Sequence, residues 1–188
     1  YLKYDNDTTA FKYECNRLFK IYYDNEIQIL KSKLSASCND INSEYINNRF
    51  DIDANITKEY TKTVDSNNVV LFTYNPSNDD VIKHIFITSF DYKESFNIDS
   101  IYSRTNKLLK NHLIGSRPNS YVALEDRYPL VMYNDFYRGL WRLQNGFMGG
   151  SILIKPILNK NKIIIITALV FDPSSKKRKY IKEFEAIL

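Results

Sequence analysis

Residues 163–171 are apolar at every position but Thr167, and the first four, Ile163, Ile164, Ile165 and Ile166, form an unbroken β-branched run. Branching at Cβ stiffens the side chain, which disfavours helix and suits the pleated surface of a sheet. A strand that is apolar at nearly every position has no face to give to water. The run is therefore expected to be a central strand covered on both faces, and the rest of the chain has to supply the cover. The turn Asn159-Lys160-Asn161 joins it to residues 152–158 as a hairpin.

Further strands are expected over residues 49–53, 60–64, 69–74 and 84–92, and then over 130–136 and 138–143, the last running to a corner at Gly149-Gly150. Three helices complete the pattern. Residues 11–34 place Phe11, Cys15, Leu18, Tyr22 and Ile29 on one face in alternating steps of four and three, with Asn25 interrupting. That face is expected to pack on the chain's own sheet, since a coiled coil wants longer uninterrupted heptads. Asn97 caps a second helix, which buries Ile98, Ile101, Thr105, Leu108 and His112 and ends at Gly115 in the left-handed conformation. Ser174 or Ser175 caps a closing helix over residues 176–188, with Tyr180, Phe184 and Ile187 inward. Residues 35–43 and 116–126 read as loops. The expected fold is one α+β domain, residues 1–188, with a twisted, mainly antiparallel sheet, three helices and a helical N-terminal segment over residues 1–40 packed on it.

Composition narrows the function classes. A hydrophobic fraction of 44% with 15 Tyr and 11 Phe argues for a packed core. The formal charge of +4 is spread along the chain, which does not suit a nucleic-acid binder. Cys15 and Cys38 would lie about 30 Å apart if the first helix runs between them, so both are expected to be reduced, with Cys15 buried. The two histidines, His84 and His112, lack a nucleophile motif and read as structural. The carboxylate pairs Asp79-Asp80 and Glu125-Asp126 read as solvated loop residues, and Gly146, Gly149 and Gly150 do not open a helix as a phosphate loop must. No catalytic residue, metal site or cofactor is expected. A pocket gathering Arg117, Glu125, Asp126 and Arg138 would be the sign of an enzyme.

Two clusters stand out. Arg138 and Trp141, followed by Phe147, Met148 and the glycine pair, combine tight backbone packing with the two residue types favoured as binding anchors. Lys176, Lys177, Arg178 and Lys179 open the closing helix, where positive charge opposes the helix dipole unless an anionic partner is near. These eight residues are the candidate partner-binding set.

Arg138-Gly139-Leu140-Trp141, Phe147-Met148-Gly149-Gly150, Lys177-Arg178-Lys179-Tyr180 and the terminal Glu185-Ala186-Ile187-Leu188 resemble a Bacteroidota family of uncharacterised outer-membrane lipoproteins. The likeness extends more weakly back to Phe50, and residues 151–154 depart from the Pro-Phe stretch that usually follows the double glycine. The resemblance implies a cell-envelope location, with a lipoprotein signal and further sequence upstream of Tyr1. It implies no activity. The arrangement is also loosely similar to the photosystem-accessory and Mog1-like fold, whose members mostly act as binding or assembly modules. The expected function is a non-enzymatic binding or assembly domain, with an envelope protein complex as partner and an anionic lipid or ligand as a further contact. The alternative expectation is a small-ligand or lipid carrier with an aromatic-lined cavity between helix and sheet.

Overall fold

The computed structural model describes residues 8–92 and 97–188; residues 1–7 of the expected N-terminal segment lie outside them. The elements are α1 (Thr8–Ala36), α2 (Asp40–Phe50), β1 (Thr61–Ser66), β2 (Val69–Tyr74), β3 (Ile82–Asp91), α3 (Ile98–His112), β4 (Tyr121–Leu124), β5 (Val131–Tyr133), β6 (Phe136–Gln144), β7 (Gly149–Asn159), β8 (Lys162–Phe171) and α4 (Arg178–Ile187). The strands form one antiparallel sheet of eight, ordered β1-β2-β3-β8-β7-β6-β4, with β5 paired to β6 off that path.

β8 is central, as its composition requires. Ile164, Ile166, Ala168 and Val170 enter one core with Ile46 and Phe50 of α2 and Tyr180 and Phe184 of α4. Ile163, Ile165 and Leu169 enter the other, with Ile101, Leu108 and Leu109 of α3. The fold is α+β, with a helical layer on each face of the sheet.

Among the described residues four helices are present where three were expected. Residues 40–50 are helical because Asn39 accepts a hydrogen bond from the Asn42 amide at 3.3 Å, and Ile46 and Phe50, one turn apart, are both buried. This replaces the strand expected at 49–53; Asp51 instead ends the helix in the left-handed conformation, φ 56°. The loop expected at 116–126 contains β4, and the strand expected at 130–136 is only the three residues of β5. At α3 the cap holds as read: Ser100 N–H donates to Asn97 Oδ1 at 2.9 Å, and Asn97 N–H donates to Ser100 Oγ at 3.2 Å. Ile98, however, is exposed, and the helix ends at Leu113 with φ −119°. No glycine has positive φ; Asn119, Asn134, Asn145 and Lys160 take the left-handed positions instead. Asparagine tolerates that region at modest cost, which suits a chain with only five glycines.

α4 starts at Arg178, so Lys176 and Lys177 precede it, and neither serine caps it. Asp172 holds that corner. Its buried carboxylate accepts hydrogen bonds from the amides of Ser174 (2.8 Å) and Ser175 (3.1 Å), from both serine hydroxyls, and from Tyr180 Oη at 2.6 Å. These donors hold the Asp172 carboxyl well below the usual carboxylate range.

α1 lies on α4, but through a row other than the expected one. Tyr23 is buried and Ile27, Leu30 and Leu34 are half-buried, whereas Tyr22 and Ile29 are exposed and Cys15 is half-buried, as is Cys38. Both cysteines are free thiols. Two isoleucines at opposite extremes of burial set the scale of the core. Ile166→Ala is expected to cost about 2 to 5 kcal/mol in urea denaturation, whereas Ile41→Ser, at a position 78% exposed, should stay within about 0.5 kcal/mol of wild type.

Candidate binding site

β6 carries two of the expected site residues on opposite faces, because an odd separation along a strand reverses the side-chain direction. Trp141 points into the α3 layer and is 4% exposed. It stands opposite Gly150 across the β6–β7 pair, and its indole N–H donates to the Val170 carbonyl at 3.1 Å. The β7–β8 ladder stops at Ile152↔Leu169, so the indole supplies a donor to the next carbonyl of β8. A Cβ on Gly150 would lie 2.0 Å from the Val170 oxygen and 3.0 Å from Trp141 Nε1, so only glycine lets β7 pass there.

Arg138 faces the other way. Its Nε–H donates to Glu185 Oε1 at 3.0 Å and an Nη2–H donates to Tyr23 Oη at 2.6 Å, while Tyr23 in turn donates to Glu185 Oε2. The guanidinium lies 3.8 Å from the centre of the Tyr133 ring. Glu185 is buried because α1 covers α4, and removal from water pushes its carboxyl up to about 7. The guanidinium pulls the other way, and with three N–H and O–H donors on the group the ionised pair prevails. Lys182, buried by the same contact, donates to Glu26 of α1. Arg138 is thus committed to tying α1 and α4 to the sheet.

Beside Trp141 lies an apolar cavity of about 210 Å³ at the C-terminal end of α3, lined by residues that include Ile82, His84, His112, Leu113, Trp141, Met148 and Phe171. Of the expected site residues it brings together Trp141 and Met148. Phe147, 87% exposed, stands at the tip of the β6–β7 turn beside Met148, with the Arg117 guanidinium 4.9 Å from its ring centre. Lys176, Lys177, Arg178 and Lys179 do not line the cavity; Lys177 donates to the Ser175 carbonyl, and the Lys179 ammonium lies 4.6 Å from the Tyr180 ring centre.

Both histidines line the cavity, a convergence the sequence reading missed. Alternation in β3 puts His84 on the same face as Phe86, and His112 lies on the row that α3 turns to the sheet; the missing step was that α3 ends over β3. The Phe86 ring lies between them, its centre 6.5 Å from His84 and 5.9 Å from His112. His84 Nδ1 is 3.0 Å from Thr73 Oγ1, and burial lowers the imidazole to about 4. A neutral imidazole gives the cavity one polar contact without a charge.

Of the carboxylates expected to be solvated, Glu125 is instead buried and engaged, whereas Asp126 stays exposed. Glu125 accepts from Arg127 Nε at 3.0 Å and Nη2 at 2.9 Å, which brings it down to about 2, and Arg142 faces Asp126 at 3.8 Å. Arg117 and Arg138 are engaged elsewhere, so the four groups looked for as the sign of an enzyme are not gathered. Among the described residues, no group of three His, Cys, Asp or Glu is placed to hold a metal ion, and no helix is long and apolar enough to cross a membrane.

Two measurements check this geometry. Gly150→Ala should lose more than about 2 kcal/mol of stability, since β7 must move off β8, and Trp141→Phe should lose about 1 to 3 kcal/mol through the orphaned Val170 carbonyl. For His84, the unfolded chain takes up a proton near pH 6.5 and the folded protein only near 4, so stability falls as pH drops through that window. The loss from pH 7 to pH 5 should be about 1 to 2 kcal/mol, the lower end allowing for water at the half-buried ring. Urea denaturation at both pH values should show this loss shrinking in His84→Asn, since the contributions of all other groups are common to both proteins and cancel.

No curated protein matches the sequence. A family model described as a domain of unknown function, DUF4837, matches residues 39–188, from the cap of α2 to the end of α4, and the chain belongs to that family.

Proposed function

We propose that this domain is a non-enzymatic binding module of a cell-envelope lipoprotein, and that it holds an apolar side chain of a protein partner in the cavity beside Trp141. The observation that carries the reading is the cavity itself. Its volume, about 210 Å³, is below the roughly 300 to 1,000 Å³ usual for drug-sized ligands. It suits one aromatic or branched side chain, the kind of anchor that dominates protein interfaces. Exposed Phe147, next in sequence to the lining residue Met148, offers further apolar contact, and the imidazoles of His84 and His112 offer polar ones.

The envelope setting rests on the resemblance carried by Arg138-Gly139-Leu140-Trp141, the glycine pair and the C-terminal motif. The loose resemblance, drawn from the sequence, to the Mog1-like fold, most of whose members are binding or assembly modules, would agree with the reading in kind. The basic run Lys176, Lys177, Arg178 and Lys179 provides a separate contact for anionic headgroups if the domain works at a membrane surface. A carrier of a free apolar molecule would use the same cavity, and its limited volume favours a small ring over a lipid chain.

Tagged full-length protein, purified from native membranes, should bring down a stoichiometric protein partner. Met148→Trp, which plugs the cavity from its half-buried rim, should reduce that recovery at least about tenfold, equivalent to 1.4 kcal/mol. A partner retained equally by the plugged variant would contradict the cavity reading. A small apolar molecule recovered without protein would transfer the cavity to the carrier reading.

A further inference from the structure

α1 carries a second apolar row that its own domain covers only in part, with Cys15 and Leu18 half-buried and Tyr22 and Ile29 exposed. Cys15, Leu18, Tyr22, Asn25 and Ile29 follow steps of three and four, the spacing of a coiled-coil core, and Phe19 and Ile21 flank them. At about 100° per residue this row lies roughly 120° around the helix from the row of Tyr23, Ile27, Leu30 and Leu34 that meets the body. Tyr22 is 72% exposed, Phe19 and Ile21 52% each, and Ile29 48%. Large apolar side chains scattered singly on a surface need no explanation; four of them bordering one helical seam do.

We propose that α1 pairs antiparallel with α1 of a second copy of this chain, with the Leu18 and Tyr22 layers crossing at a two-fold axis beside residue 20. In antiparallel pairing, a core position faces the alternate core position of the other helix. Here Leu18 meets Tyr22 of the second copy, Phe11 meets Ile29, and Cys15 meets Asn25. The flanking positions then complement themselves: Phe19 meets Phe19, Ile21 meets Ile21, and Lys12 meets Glu26, one basic and one acidic group on each side of the axis. Among the described residues, a parallel pair in the same heptad frame sets Glu14 beside Phe19 and Ile21 beside Glu26, burying charge against apolar groups with no opposite-charge pair to offset it. Asn25 places one polar group in the seam, a device that fixes register at some cost in stability. Glu26 accepts from Lys182 within its own chain yet keeps its side chain 51% exposed, leaving it accessible to Lys12 of the second copy.

The geometry leaves room for both bodies. Among the described residues of α1, Tyr23 is buried and Ile27, Leu30 and Leu34 are half-buried, so the body meets the helix along a row about 120° around from the seam. Antiparallel pairing about residue 20 therefore leaves each body on a side of its own helix turned away from the seam. α1 lies on the α4 side of the sheet and the cavity on the α3 side, so self-association and cavity binding are compatible.

Sedimentation velocity of the full chain over a range of concentrations should show the 22.2 kDa species doubling in mass. The double variant Ile21→Glu/Tyr22→Glu, changed only at exposed positions, should keep its thermal melt as a monomer while association weakens more than about 100-fold, because unpaired charges enter the seam. Orientation is read by disulfide trapping in a Cys38→Ser background: under mild oxidation Asn25→Cys should cross-link its introduced cysteine to Cys15 of the other copy. A chain that stays monomeric at every concentration, a dimer indifferent to the double variant, or a cross-link joining Cys15 to Cys15 would each overturn the proposal.

Discussion

Burial of β8 on both faces is the constraint from which the rest of the structure follows. A strand carrying Ile163 to Ile166 in succession needs apolar cover above and below, and the chain provides α3 on one face and α2 with α4 on the other. α4 is short, and its outward side carries Lys182 and Glu185. Once α1 lies across it these groups are buried, and burial of a charge is tolerable only with a partner. Glu26, Tyr23 and Arg138 are those partners. The ionic cluster is thus a consequence of how the central strand is covered.

The short motif in β6 joins the two layers. Arg138 and Trp141 are three residues apart, so one reaches toward α1 and α4 and the other toward α3. Each contact answers a backbone or burial problem: Trp141 donates to a β8 carbonyl beyond the end of the β7 ladder, and Arg138 neutralises a buried carboxylate. Gly150 is needed because Val170 approaches β7 too closely for a side chain. The part of Trp141 not committed to that packing forms a wall of the cavity, so the packing and recognition readings of this motif meet in one residue.

Much of the fold was legible in the sequence because burial writes itself into local patterns. The run in β8, the alternation of β2 and β3, and the cap and row of α3 are each set by neighbours within one element. What was missed depends on tertiary context. α2 has only Ile46 and Phe50 as its buried anchor, too little to separate from a polar loop. The row expected to bury α1 is real, yet a helix with two apolar rows cannot announce which one its own domain uses. Of the candidate site, Trp141 and Met148 were legible; His84 and His112 come from elements far apart in sequence, and nothing local signals that α3 ends over β3. Lys176 to Lys179 were legible as a charge cluster, but the turn built around Asp172 moved the helix start past two of them.

The functional reading depends on whether the space beside Trp141 accepts an apolar group in solution. Titrating isotope-labelled full-length protein with indole while recording its amide and methyl resonances tests this directly. The account predicts saturable shifts centred on Leu113, Met148, Leu169 and the Trp141 indole N–H, with β1 and α2 unaffected. Shifts that stay linear with concentration, or that centre on another surface, would contradict it.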